Sequence, residues 1–336
     1  MHGHCYVSPV NRGRERMETT AFIFPGQGSQ TVGMGQDLAQ AYRAAHDTFA
    51  EADDLLGFSL STLCFEGPEE VLNDTLNTQP AIFVASVATL HVLQSAGWSV
   101  GPAFTAGHSL GEYSALVAAG ALTFAGGLRL VRERGRLMKA AGERSPGGMA
   151  AILQVEAETS EDICRRASQE TGKVVQVANY NSPGQIVISG DNEALEAAMH
   201  MAQVAGARRV VRLPVSIASH SPLMAVIADE FRQAVEATPI QPPQVPVVAN
   251  ITARSMNTVD DIRHEMVAQL TSSVRWIESV EYMVAQGVTD FVEIGPKEVL
   301  TGLVRRINKS VTAVACGTVD GVEATFAKVG NLRKDS

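Results

Sequence analysis

The sequence predicts an α/β fold in which a large parallel-sheet domain carries a smaller inserted α+β subdomain. Two observations indicate this organisation. From Ala21 to about residue 141, short apolar runs alternate with helix-like segments, which is typical of a parallel sheet with helices on both faces. Between about 147 and 213 the order becomes strand–helix–strand–strand–helix–strand, the ferredoxin-like βαββαβ arrangement. We therefore assign residues 17–146 and 214–336 to the large domain and 147–213 to the small subdomain.

The first part of the large domain begins with the apolar run AFIF, a predicted buried strand that ends in the loop PGQGSQ. Helix-like segments follow at 37–56, 68–76 and 79–97. The run GPAFTAGHS is predicted as a second strand, and the helical segments LGEYSALVAAGAL and FAGGLRLVRERGRLMKAA come after it. In the subdomain, the predicted strands are MAAILQV, VVQVANY, QIVISG and RRVVRLPV, and the predicted helices are SEDICRRASQE and NEALEAAMHMAQVAG. Beyond it, the segments 245–251 and 290–296 are predicted to return to the large sheet as strands.

Composition and charge exclude several classes of protein. With 27 Lys and Arg against 36 Asp and Glu, the net charge of −9 argues against a general nucleic-acid-binding protein, which needs clustered basic residues. No run of about 18 apolar residues is present, so we expect no membrane span. Residues 1–16 are polar and without pattern, and we interpret them as a disordered extension. Four cysteines without C-x-x-C or metal-ligand spacing predict free thiols, no bound metal and a reducing, cytoplasmic compartment: Cys5, Cys64, Cys164 and Cys316.

The stretch GHSLG (107–111) is a Gly-x-Ser-x-Gly pattern between a predicted strand and a predicted helix. Small residues around a serine, with a strand before and a helix after, are typical of the strained turn called a nucleophile elbow. Ser109 is therefore the candidate nucleophile, and the backbone NH of Leu110 can donate to an oxyanion at the helix N-terminus. The alternative is an ordinary strand-to-helix turn in which Ser109 only caps the helix.

A serine nucleophile needs a base, and the chain has eight histidines. His220 is the strongest candidate because it follows a predicted strand in the serine-rich loop LPVSIASHSPLM. Loops at strand ends are where the catalytic residues of open α/β sheets gather. His108 adjoins the serine, but neighbouring side chains diverge at an elbow, so we interpret it as a packing residue.

Gln27 and Arg134 are two further candidates. The loop PGQGSQ lacks the Gly-Lys-Ser/Thr of a phosphate-binding loop, and it either presents the NH of Gln27 as a second oxyanion donor or is an ordinary loop. Arg134 falls in the middle of the apolar stripe of the helix predicted at 124–141. Because a buried guanidinium is costly unless paired, Arg134 either binds a buried structural carboxylate or awaits an anionic ligand. An acyl group that carries a carboxylate would fit such a site.

Five sequence blocks occur in the order found in one enzyme family: FPGQGSQ, GHSLGEYSAL, NSPGQIVISG, PVSIASHSPLM and EIGPKEVLTGL. From about Ala21 to Ile307 or beyond, the chain resembles the malonyl-CoA:acyl carrier protein transacylases and the related acyltransferase domains of polyketide synthases. The resemblance implies a hydrolase-like α/β domain with a ferredoxin-like insert. That implied fold agrees with the fold class predicted from the residues.

The resemblance also implies roles for individual residues. Ser109 matches the family's nucleophile and His220 its base, which the carbonyl of Gln269 orients in place of a triad aspartate. The other matches are the two oxyanion NH donors, the arginine that holds the malonyl carboxylate and a residue lining the cleft between the domains: Gln27, Leu110, Arg134 and Asn181. The implied reaction moves a malonyl group from malonyl-CoA to Ser109 and then to the phosphopantetheine thiol of an acyl carrier protein. It needs no metal or redox cofactor.

Three alternatives stay open. Ala218 and Ser219 precede His220, a pattern that resembles methylmalonyl-specific polyketide enzymes, although stand-alone malonyl enzymes of fatty acid synthesis also carry Ser at this position. An acyl hydrolase with the same Ser–His pair would use water as acceptor, but it has no reason to bury a cation such as Arg134. A docking scaffold with an inactive site is the third. We expect malonyl transfer by a monomer, with the pathway and the carrier protein left open.

Overall fold

Two β-sheets organise the part of the chain that the computed structural model describes, residues 19–98 and 101–329. The predicted extension at 1–16 lies outside the described residues. The strands are β1 (Thr20–Phe24), β2 (Phe104–Gly107), β3 (Gly147–Leu153), β4 (Val175–Ser182), β5 (Gln185–Asp191), β6 (Arg209–Arg212), β7 (Val247–Val248), β8 (Ser255–Met256), β9 (Asp290–Glu293) and β10 (Thr312–Ala315). The helices are α1 (Gln36–Ala41), α2 (Arg43–Leu56), α3 (Leu60–Glu66), α4 (Glu69–Leu72), α5 (Thr75–Ser95), α6 (Gly111–Ala118), α7 (Phe124–Arg144), α8 (Ala157–Thr171), α9 (Asn192–Val204), α10 (Ala228–Ala237), α11 (Val259–Ala268), α12 (Trp276–Ala285), α13 (Val299–Ile307) and α14 (Val319–Lys328), with a 3₁₀ helix (Pro222–Ile227) before α10.

The large sheet has six strands in the order β10-β9-β1-β2-β7-β8, and its strand pairs are parallel except for that of the short edge strand β8. All five residues of β1 are buried, as expected for a parallel sheet covered on both faces. Its alternating side chains enter two apolar cores, Phe22 and Phe24 on one face and Ala21 and Ile23 on the other. The predicted parallel-sheet core is confirmed.

The carboxyl ends of β1 and β2 lie side by side, with Ile23 opposite Ala106 and Phe24 opposite Gly107. The loop PGQGSQ after β1 and the turn GHSLG after β2 therefore leave the sheet at the same edge. In open α/β sheets, ligands bind at this edge.

The small sheet has four antiparallel strands in the order β4-β5-β3-β6, and α8 and α9 pack on one of its faces around Ile188. This is the predicted βαββαβ arrangement, and its strands lie within residues 147–212. β4 also contacts the large domain, since the NH of Tyr180 donates to the carbonyl of Val274 and the NH of Val274 donates to the carbonyl of Ala178. The division of the chain into domains at the predicted boundaries stays a prediction.

Several elements differ from the predicted ones. The segment 37–56 forms two helices, because the backbone of Tyr42 is extended between α1 and α2. The helix predicted at 68–76 is wrong in extent: α4 has four residues, and Asp74 then caps α5 by accepting a hydrogen bond from the NH of Leu76. β8 and β10 are absent from the prediction because strands of two and four residues carry little periodic pattern.

The core helix α5 is long and apolar enough to cross a bilayer, judged by length and composition alone. Of its apolar window, 83% is buried inside the protein, where α5 packs against α2 and α7. The core helix of a folded domain passes the same test, so this property by itself does not indicate a membrane span.

α5 and α7, each 21 residues long, come into close contact at Gly135 of α7. A Cβ atom at this position would lie 2.9 Å from the carbonyl oxygen of Thr75 and 3.3 Å from the Cα of Leu76, both in the backbone of α5. The glycine therefore permits the short distance between the two helices. Because the helices lie so close, Nη1 of Arg134, the preceding residue, donates a hydrogen bond to Oε1 of Gln79 at 3.0 Å.

We expect Gly135→Ala to destabilise the fold. The added methyl group must push the helices apart at a cost of about 1–3 kcal/mol, which exceeds the gain of up to about 1 kcal/mol from the higher helix propensity of alanine. Urea unfolding measures the difference. Gly302→Ala in α13 is the matched control, since a Cβ there meets only the Nη1 of Arg306 at 4.0 Å. Equal stabilisation of both variants would show that α5 and α7 separate without cost.

Candidate active site

Ser109 lies in the tight turn between β2 and α6 and has a left-handed backbone, with φ 51°. A Cβ at Gly107 would lie 1.9 Å from the carbonyl carbon of Gly111, and a Cβ at Gly111 would lie 2.0 Å from the carbonyl oxygen of Phe24. Both glycines of the pattern are therefore required by close backbone contacts. Positive φ at a non-glycine residue costs about 1–3 kcal/mol, so the surrounding contacts must hold the serine in this conformation.

Asn250, which follows β7, is one of these contacts, and sequence reasoning missed it. Its Oδ1 accepts a hydrogen bond from the NH of Ser109 at 2.7 Å, and its Nδ2 donates to the carbonyl of Gly107 at 2.7 Å. The buried amide thus bridges the two residues on either side of His108 and fixes the turn. A polar residue directly after the buried run VVA (247–249), at the carboxyl edge of the sheet, is the signal that could have identified it.

The structure brings His220 to Ser109. The Oγ of Ser109 is 2.8 Å from Nε2 of His220, although 111 positions separate them in the chain. Nδ1 of His220 lies 2.9 Å from the backbone carbonyl of Gln269 and 3.2 Å from that of Ser272. Because a carbonyl oxygen only accepts, Nδ1 carries the proton and Nε2 is left to accept from the serine hydroxyl.

The environment of His220 favours the neutral imidazole. Burial, together with the positive charge of Arg134, lowers the pKa of His220 to about 3. The hydrogen bonds to the two carbonyl partners orient the ring and raise its pKa, but by less than burial lowers it. His220 is therefore neutral at physiological pH and can act as a base.

Arg134 is 1% exposed, and its guanidinium points at the serine. Nη2 donates to the Oγ of Ser109 at 3.1 Å and to Oε1 of Gln269 at 2.9 Å, while Nη1 donates to Oε1 of Gln79 at 3.0 Å. Its Nε has no hydrogen-bond partner among the described residues. The guanidinium also lies over the ring of Tyr113, 5.8 Å from the centroid. Of the two predicted alternatives, this geometry favours the anionic ligand, because the direct acceptors are neutral amides and a hydroxyl.

The remaining predicted residues lie around the same edge of the sheet. Leu110 is fully buried directly before α6, where the helix dipole places partial positive charge. Gln27 is exposed in the loop after β1, and its Nε2 donates to Oγ1 of Thr75 at 3.4 Å. Ser219 is half-buried beside His220. The oxyanion role of Gln27 and Leu110 stays a prediction.

His108 does more than pack. Its ring lies edge-on against Trp276, with the centroids 5.7 Å apart, and its Nε2 is 2.8 Å from Oδ1 of Asn181 in β4. The interpretation as a packing residue accounts only for the first contact. Through the second, His108 links the elbow to the small sheet and places Asn181 near the site.

Two buried carboxyl groups beneath the elbow were also missed. Glu112 in α6 accepts hydrogen bonds from Asn250 and Gln269, and Glu265 in α11 accepts one from the NH of Ile251 at 3.0 Å. Burial raises the pKa of Glu265 to about 7, and burial together with the charge of Glu265 raises the pKa of Glu112. Glu112 could have been found by the argument that identified Arg134, since it is a charged residue in an otherwise apolar helix.

The described residues contain no group of three or more His, Cys, Asp and Glu side chains that could hold a metal ion. Cys64, Cys164 and Cys316 are buried free thiols, and Cys5 lies outside the described residues. Burial raises the pKa of Cys164 and Cys316 to about 12, so these thiols are not nucleophiles near neutral pH.

A family model described as the acyl transferase domain matches residues 21–336. The chain belongs to the acyl transferase family. Its curated relatives include the malonyl CoA-acyl carrier protein transacylase of Escherichia coli (strain K12), which is 47% identical over 310 residues, 92% of this chain and 99% of the relative. The protein of the same name from Bacillus subtilis (strain 168) is 44% identical over 307 residues, 91% of this chain and 96% of the relative.

Solved structures of the family share the fold. An acyl carrier protein S-malonyltransferase from Vibrio cholerae has a TM-score of 0.88 and 45% identity, covering 91% of this chain and 99% of that chain. A malonyl-transacylase solved in complex with its type II polyketide synthase acyl carrier protein has a TM-score of 0.89 and 44% identity, covering 92% and 99%. The predicted fold class and the family resemblance are confirmed.

The low pKa of His220 predicts a stability difference that needs no activity assay. The unfolded chain takes up a proton at this residue near pH 6.5, whereas the folded state does so only near pH 3, so stability falls as pH falls through this window. Between pH 6.5 and pH 5, the wild type should lose about 1–2 kcal/mol more than His220→Asn, because the unfolded histidine is already half protonated at pH 6.5 and the slope reaches about 1.4 kcal/mol per pH unit only below that pH. Urea unfolding of both proteins at several pH values measures this. Parallel pH dependences would contradict the buried neutral imidazole.

Proposed function

We propose that the protein transfers a malonyl group from malonyl-CoA to the phosphopantetheine thiol of an acyl carrier protein, through an ester on Ser109. One observation carries the chemistry: the serine hydroxyl lies within hydrogen-bond distance of both a neutral histidine and a buried arginine that no carboxylate of the described residues contacts. The malonyl substrate and the carrier protein follow from family membership, because relatives more than 40% identical over at least 96% of their length carry those names.

In the first half-reaction, the Oγ of Ser109 attacks the thioester carbonyl of malonyl-CoA while Nε2 of His220 takes its proton. The oxygen–carbon bond forms, and the carbonyl oxygen becomes an oxyanion. We assign the stabilisation of this oxyanion to the backbone NH groups of Leu110 and Gln27. The carbon–sulfur bond then breaks, the imidazolium returns the proton to sulfur, and CoA leaves as the thiol.

The second half-reaction runs the same steps with another thiol. The pantetheine thiol of the carrier protein gives its proton to His220 and attacks the ester on Ser109. The carbon–sulfur bond forms, the carbon–oxygen bond breaks, and the serine oxygen recovers the proton. The serine, the histidine and the NH donors supply every group that this chemistry uses, so we propose that no metal or redox cofactor takes part.

Arg134 provides the selectivity for an acyl group with a free carboxylate. In the free enzyme its Nη2 donates to the Oγ of Ser109 and, with Nη1, to two amide oxygens. In the ester, the serine oxygen is a weaker acceptor, and the malonyl carboxylate replaces it as the partner of the guanidinium. Two parallel charge-assisted hydrogen bonds are the usual arrangement of Arg with a carboxylate. The burial of Arg134 strengthens this attraction because little water screens it.

The partners and location complete the proposal. We propose malonyl-CoA and an acyl carrier protein as partners, a monomer, a cytoplasmic location, and no binding to nucleic acid or membrane. The related transacylase solved with its acyl carrier protein supports the carrier protein as partner. The names of the relatives do not favour a hydrolase or a methylmalonyl-specific enzyme.

Ser109→Ala should abolish acylation. After brief mixing with malonyl-CoA, intact mass spectrometry should find one malonyl group on the wild type and none on the variant, because no other described residue offers an activated hydroxyl at the site. Adding a carrier protein with a free pantetheine thiol should remove the group from the wild type. Release of free malonate without transfer would instead indicate a hydrolase.

Arg134→Ala should reduce malonyl transfer roughly a hundredfold, because the malonyl carboxylate loses two charge-assisted hydrogen bonds. Acetyl transfer should fall only severalfold, because the acetyl group has no carboxylate. Rates of acylation with malonyl-CoA and acetyl-CoA measure the ratio. Arg136→Ala is the control on the same helix, where the exposed side chain pairs with Glu133 and Glu230. Equal losses of rate for malonyl and acetyl transfer would indicate that Arg134 has only a structural role.

A further inference from the structure

A buried carboxylate with no part in the proposed reaction lies beneath the elbow. Glu112 is in the first turn of α6, three residues after Ser109, and is 1% exposed. Moving a carboxylate out of water is costly unless hydrogen bonds compensate, so its partners indicate what the residue does. Each of its two oxygens accepts hydrogen bonds from a different part of the site.

The hydrogen bonds to Oε1 hold the elbow in place. Oε1 of Glu112 accepts hydrogen bonds from the backbone NH and from Nδ2 of Asn250, both at 2.9 Å. With Nδ2 turned towards Glu112, Oδ1 of the same amide faces the NH of Ser109. Glu112 and the carbonyl of Gly107, which both accept from Nδ2, therefore determine together which end of the Asn250 amide faces the serine.

The hydrogen bond to Oε2 connects Glu112 to Arg134 through Gln269. Oε2 of Glu112 accepts a hydrogen bond from Nε2 of Gln269 at 2.5 Å, and Oε1 of Gln269 then accepts from Nη2 of Arg134 at 2.9 Å. A side-chain amide has one donor end and one acceptor end. Oε2 of Glu112 is an acceptor here, and so is the backbone carbonyl of Ser109, to which the same Nε2 donates at 3.2 Å. Both require the NH₂ end of Gln269, so its oxygen faces the guanidinium. The reverse orientation would place an NH₂ group against Arg134, which only donates.

We propose that Glu112 is a positioning residue that acts through Gln269 to aim the guanidinium of Arg134 at the acyl carboxylate, and so contributes to the preference for malonyl over uncharged acyl groups. This inference rests on the proposed function. The same Nη2 that Gln269 holds is the one that reaches the Oγ of Ser109, so a misplaced amide would move the cation at the reacting serine.

A purely structural role makes a different prediction. An acidic residue in the first turn of a helix is stabilising on its own, and replacing it would then lower stability and slow both acyl groups alike. The positioning role instead predicts a change in the ratio of malonyl to acetyl transfer. The two roles are therefore separable by a measurement on intact protein.

Glu112→Gln keeps the shape of the side chain and removes one acceptor. Its oxygen is held by the two donors of Asn250, which leaves its new NH₂ group facing the NH₂ group of Gln269. To avoid this, we expect the amide of Gln269 to rotate, to give up its hydrogen bond to the Ser109 carbonyl and to turn its NH₂ group towards Arg134. We expect the ratio of malonyl to acetyl acylation of Ser109, followed by intact mass, to fall roughly tenfold or more.

A double-mutant cycle identifies the route of the effect. In the Arg134→Ala background, Glu112→Gln should leave the malonyl-to-acetyl ratio unchanged, because the residue through which Glu112 acts is gone. Effects on the ratio that multiply in the double variant would overturn the inference. So would equal slowing of both acyl groups by the single variant.

Two further variants keep the test decisive if Glu112→Gln does not fold or only lowers stability. Gln269→Met keeps the backbone carbonyl that faces His220 but removes the side-chain link, and it should lower the ratio even if Glu112→Gln does not fold. Glu293→Gln is the matched control, because Glu293 is also a buried carboxylate that accepts from two backbone NH groups, those of Leu300 and Thr301, without contacting the site. It should lower the thermal stability and keep the ratio.

The wild type separates this inference from the proposed function. If wild-type protein takes up no malonyl group, both the proposed function and the inference about Glu112 are overturned. If the wild type is malonylated but Glu112→Gln and Gln269→Met both keep the wild-type ratio, only the inference about Glu112 is overturned.

Discussion

The positive charge of Arg134 is buried in the protein without a carboxylate in hydrogen-bond contact among the described residues, and the arrangement of the site depends on that charge. A cation in such a place is costly, so the protein surrounds it with acceptors that carry no full charge of their own. Gln79 from α5 and Gln269 after α11 supply amide oxygens, and Ser109 supplies a hydroxyl. A directly bound carboxylate would stabilise the free protein better, but it would also occupy the guanidinium that the proposed substrate needs.

The same charge explains how His220 is oriented. In a Ser–His–Asp triad a carboxylate orients the imidazole and stabilises the imidazolium. Two backbone carbonyls, from Gln269 and Ser272, fix the tautomer of His220 without adding charge. The arginine in turn helps to keep the imidazole neutral, which is the form that the proposed reaction requires. The groups that orient the base are therefore neutral, as are the direct hydrogen-bond partners of the cation.

The elbow adds a steric constraint to this electrostatic one. Three backbone segments, at the ends of β1 and β2 and at the start of α6, meet so closely that a methyl group at Gly107 or Gly111 would overlap backbone atoms. The turn forces Ser109 into a left-handed conformation, and Asn250 holds it there. Glu112 connects the two constraints, since one of its oxygens binds Asn250 and the other binds Gln269.

Much of the site was predictable because its chemistry is local. The glycines of GHSLG encode the turn, and the 3.6-residue period places Arg134 on an apolar face. The alternation of strands and helices indicates a parallel sheet, whose carboxyl edge collects loops. The positions of Ser109 and His220 follow from these patterns together with the family blocks, whereas the role of Gln269 was implied by the family resemblance alone. Short strands such as β8 and the boundary between α4 and α5 were not predictable, because capping and tertiary contacts decide them.

Contacts between distant segments were decided only by the tertiary structure. Whether Arg134 meets a carboxylate or stays available depends on which side chains α5 and the segment after α11 place beside it, and nothing in its own helix contains that information. Asn250, Ser272 and Glu112 owe their roles to hydrogen bonds that join residues far apart in the chain. The sequence by itself determined the fold class and the elbow, because local spacing encodes both, and it identified the candidate dyad through the loop position of His220 and the family blocks. The tertiary structure decided how the buried cation, the neutral base and the amide network fit together, because hydrogen-bond direction is set by neighbours in space.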